Sequence, residues 1–197
     1  RGLGDVYKRQ REGDLQTTAL SRVLSARGLD SIARNMERQQ FILETTDNDK
    51  RRDQAIKKFT RLEERFNDLG GYKAKGDAAR ICNSLGLEQR VLSETLEHLS
   101  GGQRRRVELA RILFGSSHAD GSKAGTTLLL DEPTNHLDAD SIQWLREFLS
   151  QYTGGLIVIS HDTGLLDAVV NKVWFLDSIR AEIDTYSMGW ELSLIHI

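Results

Sequence analysis

The stretch Leu99-Ser100-Gly101-Gly102-Gln103 decides how this chain reads. After it, Val107, Ala110, Leu113 and Phe114 recur at helical spacing within the run Arg104 to Phe114. Ser100 stands where an N-cap belongs, and Gln103 three residues on completes a capping box. Gly101 and Gly102 leave the first-turn amides uncovered by any side chain. A helix start with bare amides and a serine hydroxyl is a ready anion site. The other reading is an ordinary helix start, because S-x-x-Q is a common pattern. Arg104, Arg105 and Arg106 crowd the same turn, where the helix dipole disfavours each cation by about 0.3–1 kcal/mol. That cost points to an anion or an acidic partner nearby.

Working outward towards the C-terminus, Gly115 to Gly125 reads as a Gly/Ser-rich surface loop. Thr126-Thr127-Leu128-Leu129-Leu130 then reads as a buried strand without alternation, as expected inside a parallel sheet. It ends in Asp131-Glu132, followed by the only proline, Pro133. Two carboxylates at the carboxyl end of a parallel strand stand where α/β sheets place ligands. Asp138 opens a helix over 139–152, with Ile142, Leu145, Phe148 and Tyr152 facing in. Leu156-Ile157-Val158-Ile159 is the next buried strand, and Ser160-His161-Asp162 follows it on the same ligand edge. A short helix around 165–170, a strand over 173–176 and an alternating edge strand over 180–186 complete the pattern. The order β-α-β-α-β-β is that of an α/β layer.

Towards the N-terminus the texture is helical. Gly28 closes a possible short helix around Val23 and Leu24. Residues 30–69 carry two apolar stripes, Ile32, Met36 and Leu43, then Ile56, Phe59, Leu62, Phe66 and Leu69, broken at 45–49. This predicts an antiparallel hairpin with Lys50-Arg51-Arg52 just past its tip and Gly70-Gly71 at its end. Its basic and acidic residues are evenly matched, so a solvated helical pair is an equal reading. Residues 74–85 form a further helix, closed by Gly86.

The chain has 197 residues, is 39% hydrophobic and 28% charged, and carries a net charge of −2. That reads as a soluble globular protein with a sizeable core and no overall basicity for nucleic acid. The single cysteine, Cys82, excludes an internal disulfide or a cysteine metal cluster and fits a reducing compartment. No apolar run is long enough to span a membrane. Residues 1–10 and 191–197 continue neither neighbour's pattern and are set aside as non-native leader and tail.

Taken in order, Ser100-Gly101-Gly102-Gln103, Asp131-Glu132, Asp138 and His161 resemble the motifs of the ATP-binding cassette (ABC) ATPases: signature, Walker B, D-loop and switch histidine. Asp131-Glu132-Pro133-Thr134-Asn135-His136-Leu137-Asp138 and Gln103-Arg104-Arg105-Arg106 resemble the ABC-F group, over roughly residues 11–190. The resemblance implies a partial P-loop NTPase cassette of the α/β class. It implies a helical subdomain at 11–98, with the hairpin at about 30–69 in the place of an inserted arm, and the signature, Walker B, D-loop and switch region at 99–190. It implies ATP and Mg²⁺ as cofactors, with Asp131 holding the metal and Glu132 and His161 catalytic. Ser100, Gly101, Gly102 and Gln103 would meet the nucleotide of a facing second cassette, and Asp138 would link the two sites. It further implies a cytoplasmic ATPase acting on the ribosome in translation or antibiotic resistance. A transporter subunit, a chromosome or repair ATPase, and a non-hydrolysing module whose arm contacts RNA are the rival readings. No G-x-x-x-x-G-K-[S/T] occurs, and no convincing Q-loop glutamine. The chain alone is therefore expected neither to bind nor to hydrolyse ATP appreciably.

Overall fold

The computed structural model describes residues 15–117, 127–177 and 179–187. The leader, the tail, residues 189–190 and most of the loop expected at 115–125 lie outside the described residues. The chain divides into two compact units, one up to residue 123 and one from 124.

In the first unit, the Thr18 hydroxyl caps α1 (Ala19–Leu24) by accepting from Ser21 N. A 3₁₀ turn, Ser25–Arg27, closes on Gly28, whose φ of 69° lies in the left-handed region that glycine enters at no steric cost. Next come α2 (Leu29–Thr45) and α3 (Asp49–Asp68), packed together as a hairpin. The tip is Thr46-Asp47-Asn48, and Asn48 caps α3 through Arg51 N. The second stripe differs from the expectation. Ala55 is buried, whereas Ile56 is 48% exposed. The pairing face runs Ala55, Phe59, Leu62, Phe66 at spacings of four, three and four, and Ile56 lies 100° round the helix from it.

The next helix, α4 (Gly71–Ser84), begins earlier than expected. Gly70 turns the chain at φ 66°, and the Phe66 ring lies where a Cβ on Gly71 would stand. Two 3₁₀ turns, Gln89–Ser93 and Leu96–His98, lead to α5 (Gly101–Ser116). This helix is longer than the sequence indicated: Gly115 and Ser116 belong to it, and Ser116 is buried. Val107, Ala110, Leu113 and Phe114 are fully buried, and α5 packs on α1 and α4. Glu108 ties α5 to α1, accepting from Arg22 Nε at 2.6 Å and from Arg111 Nε at 2.9 Å. A single antiparallel bridge joins Thr18 to Thr95, flanked by Ala19 N to Glu94 O and Leu96 N to Thr17 O, both 3.0 Å.

In the second unit, β1 (Thr127–Asp131) and β2 (Gly155–Ile159) pair in parallel, from Thr127 opposite Gly155 to Asp131 opposite Ile159. Between them runs α6 (Ala139–Ser150); α7 (Thr163–Val169) follows β2 and packs on α6. β3 (Val173–Asp177) and β4 (Glu182–Tyr186) form an antiparallel pair. The expected element order is present. The strands form two separate two-stranded sheets. They are also not buried on both faces: Leu128 and Leu130 are buried, while Leu129, Ile159, Trp174 and Leu176 are each more than half exposed. Within the unit only one face of β1 is covered, so the apolar residues of its other face meet solvent. A groove of about 610 Å³ runs between β2 and β3, lined by Leu156, Val158, Val170 and Val173 among others.

Candidate functional site

The sequence-predicted residues fall in both units, and each group is described by itself. In the first unit, Ser100 takes an extended conformation at φ −63° and ψ 161° and caps α5. Its hydroxyl accepts from Gln103 N at 3.2 Å, and its own N–H donates to Gln103 Oε1 at 2.8 Å. The capping box read from the sequence is therefore complete. Gly101 is exposed, with open space where a Cβ would stand, so its face of the helix start is clear.

The arginines behave differently from the expectation. Arg104 donates from Nε to Leu99 O and from Nη2 to Glu97 O, both at 3.0 Å. Arg106 donates from Nη1 to Gly86 O at 2.9 Å. The first-turn cations at 104 and 106 are thus engaged by backbone carbonyls. That offsets the dipole cost within the fold, and the crowding of charge no longer calls for an external anion by itself. Sequence spacing gave no sign of these bonds, because their acceptors lie in irregular segments.

In the second unit, the parallel register sets the geometry. Asp131 lies opposite Ile159, and Glu132 N extends the ladder by donating to Ile159 O at 2.8 Å. The pairs Asp131-Glu132 and Ser160-His161 therefore leave adjacent strands at the same carboxyl edge. There His161 Nδ1 lies 2.7 Å from Glu132 Oε2. The two atoms are close but not aligned as a hydrogen bond, and Oε2 is buried. The Glu132 backbone is left-handed at φ 46°, and Asn135 N donates back to its carbonyl at 3.2 Å. For a residue other than glycine that conformation costs about 1–3 kcal/mol and persists only where the surroundings impose it.

Asp138 is the N-cap of α6, accepting from Ser141 N at 2.9 Å. Asp162, which the sequence left without a role, caps α7 through Leu165 N and accepts from Arg146 Nη2 at 2.8 Å. Burial alone would raise the Asp162 carboxyl, but the Leu165 N–H and the Arg146 guanidinium hold it below the usual carboxylate range. This pair ties the loop bearing His161 to α6.

Asp131 is exposed and makes no hydrogen bond or ion pair with another described side chain. No group of three or more potential ligands is gathered among the described residues. One free carboxylate at a strand end suits Mg²⁺, which takes one or two carboxylates and completes its octahedron with water and phosphate. Asp131 could hold such an ion.

The family model described as ABC transporter matches residues 17–135. Among curated proteins, the chain is 46% identical to the energy-dependent translational throttle protein EttA of Haemophilus influenzae, over 49% of this chain and 15% of that protein. It is 34% identical to ABC transporter F family member 4 of Arabidopsis thaliana, over 71% and 19%. It is 37% identical to the ABC transporter ATP-binding protein YkpA of Bacillus subtilis, over 67% and 23%. The chain spans about a fifth of the length of these relatives. No described helix is long and apolar enough to cross a membrane. With the family model covering more than half of its residues and its likeness running to the F group, the chain belongs to the ATP-binding cassette ATPases, a family that binds ATP, usually with Mg²⁺, and hydrolyses it.

Proposed function

We propose that the chain is the signature and carboxylate part of one cassette of a longer, twin-cassette ABC-F ATPase that acts on the ribosome in the cytoplasm. The observation that carries the hydrolytic reading is the meeting of Glu132 and His161 across the β1–β2 edge at 2.7 Å. Phosphoryl transfer needs positioning and charge neutralisation more than covalent chemistry. In this reading Glu132 orients and polarises the attacking water, and His161 holds that carboxylate and faces the terminal phosphate. Asp131 carries Mg²⁺, which would neutralise charge on the phosphates when bound. Asp138 links the two composite sites. Ser100, Gly101, Gly102 and Gln103 present a hydroxyl and uncovered amides to the nucleotide held by the facing cassette, as a helix N-terminus can. The phosphate-cradling loop lies elsewhere in the longer protein, since no G-x-x-x-x-G-K-[S/T] occurs in this chain.

The partner reading is supported by the name of one relative, a translational throttle protein, and by the α2–α3 hairpin with basic residues beside its tip. In the full-length protein, His161→Ala is expected to lower the ATPase kcat by about a hundredfold or more, in line with loss of one group that stabilises the reacting water and phosphate, while Mg-ATP binding is retained. Unchanged turnover in a steady-state assay would remove His161 from the hydrolytic site.

A further inference from the structure

We infer that Arg104 is a positioning residue for the signature serine, its guanidinium forked across two carbonyls to fix where Ser100 presents its hydroxyl. The inference rests on the reading of Ser100 as the phosphate-facing serine.

The segment before Ser100 has little structure of its own. Leu96–His98 is one 3₁₀ turn, and Leu99 then runs extended at φ −80° and ψ 146°. Leu99 N reaches Leu96 O at 3.3 Å, and the Leu99 side chain is buried. The carbonyls of Glu97 and Leu99, on either side of His98, are left to Arg104. Its Nε and Nη2 take one each at 3.0 Å, so two peptide planes are locked to one rigid planar group. That group springs from the first turn of the same helix that Ser100 caps. The loop-to-helix junction is therefore closed twice: by the capping box across Ser100 and Gln103, and by the guanidinium across Glu97 and Leu99.

A lysine could not reproduce this. Its ammonium is a point charge on a flexible stem, whereas the arginine fork holds two acceptors at fixed spacing and orientation. Nor is the bond needed for burial, since Arg104 is exposed and no described carboxylate pairs with it. What the fork supplies is aim. Ser100 is exposed and its hydroxyl is held by a single 3.2 Å bond, so a tilt of the preceding peptides swings it directly. Misplacement of about 1 Å at a reacting phosphate can cost on the order of 10²-fold in rate.

The test compares Arg104→Lys, Arg104→Met, Ser100→Ala and the double variant Ser100→Ala with Arg104→Lys, in the full-length protein, by ATPase assays over a range of Mg-ATP. Both Arg104 variants are expected to lower kcat by about tenfold or more with KM for ATP unchanged, because they disturb aim and not the phosphate grip. Ser100→Ala is expected to lower kcat as well. The double variant is expected to be no slower than Ser100→Ala, because Arg104 acts through that serine. Should Arg104→Met fail to fold, Arg104→Lys, which keeps the stem and the charge, carries the test. A wild-type kcat for Arg104→Lys overturns the fork, and so does a double variant whose loss is the product of the two single losses. A wild-type kcat for Ser100→Ala instead overturns the reading of the serine, and the fork's purpose with it.

Discussion

Glu132 holds a backbone angle that glycine adopts more cheaply, at the end of the parallel ladder where Glu132 N donates to Ile159 O. That separates stability from chemistry at this position. Glu132→Gly should unfold at a higher temperature than Glu132→Ala, by about 1 kcal/mol of relieved strain net of the glycine's extra chain entropy. Thermal melts of the two variants check it; an alanine variant the more stable of the two would mean that the left-handed turn is not held. Glu108 carries a second prediction at this scale. Burial raises its carboxyl, but hydrogen bonds from Arg22 and Arg111, with their charges, outweigh it and hold the group below its ordinary value of 4.5. A depressed folded-state value means stability present above 4.5 and lost as pH falls through the folded value. Urea midpoints measured from pH 6 downward should therefore decline in that acidic window, and Glu108→Gln should flatten part of the decline. An identical decline in Glu108→Gln would show that the α1–α5 ion pair contributes nothing. The sequence marked Ser100, Gln103, Glu132 and His161 by type and spacing. It could not show that Glu132 and His161 touch, because contact across adjacent parallel strands follows from register, which the local pattern does not carry. The bonds of Arg104 and Arg106 are hidden from the sequence for a related reason: their acceptors are carbonyls of irregular backbone.

At the scale of elements, the hairpin was legible because two apolar stripes at helical spacing flank a polar break. Its exact face was not. Ile56 fits the period nearly as well as Ala55, and only the partner helix chooses between them. The β-strands are a different case. Continuous apolar runs at 128–130 and 174–176 suit a sheet covered on both faces, and without that cover among the described residues Leu129, Trp174 and Leu176 stand exposed. Composition records the environment a strand is suited to, and the cover must come from other elements. If the hairpin serves the ribosome, its basic residues should engage phosphate. Lys50, Arg51 and Arg52 are all exposed at the start of α3. Replacing the three by Glu in the full-length protein should weaken co-sedimentation with ribosomes most at low salt and flatten its salt dependence, as loss of phosphate contacts does. Co-sedimentation unchanged across salt would return the hairpin to a solvated surface.

At the scale of the whole molecule, the family and the order of motifs were legible in the sequence, whereas the break of the strands into two sheets was not. The carboxylate edge of β1 and β2 holds the groups that would orient water and metal, and it lacks a phosphate-gripping loop of its own. In the proposed reading hydrolysis belongs to a longer protein, where Glu132 would act on water and not on nucleotide affinity. The most direct measurement is the fate of Mg-ATP on the full-length Glu132→Gln protein. Bound nucleotide is counted after gel filtration, beside steady-state turnover. ATP is expected to stay unhydrolysed on the protein, with turnover lower by about a hundredfold or more. Turnover at the wild-type rate, or loss of ATP binding in a folded variant, would contradict that reading.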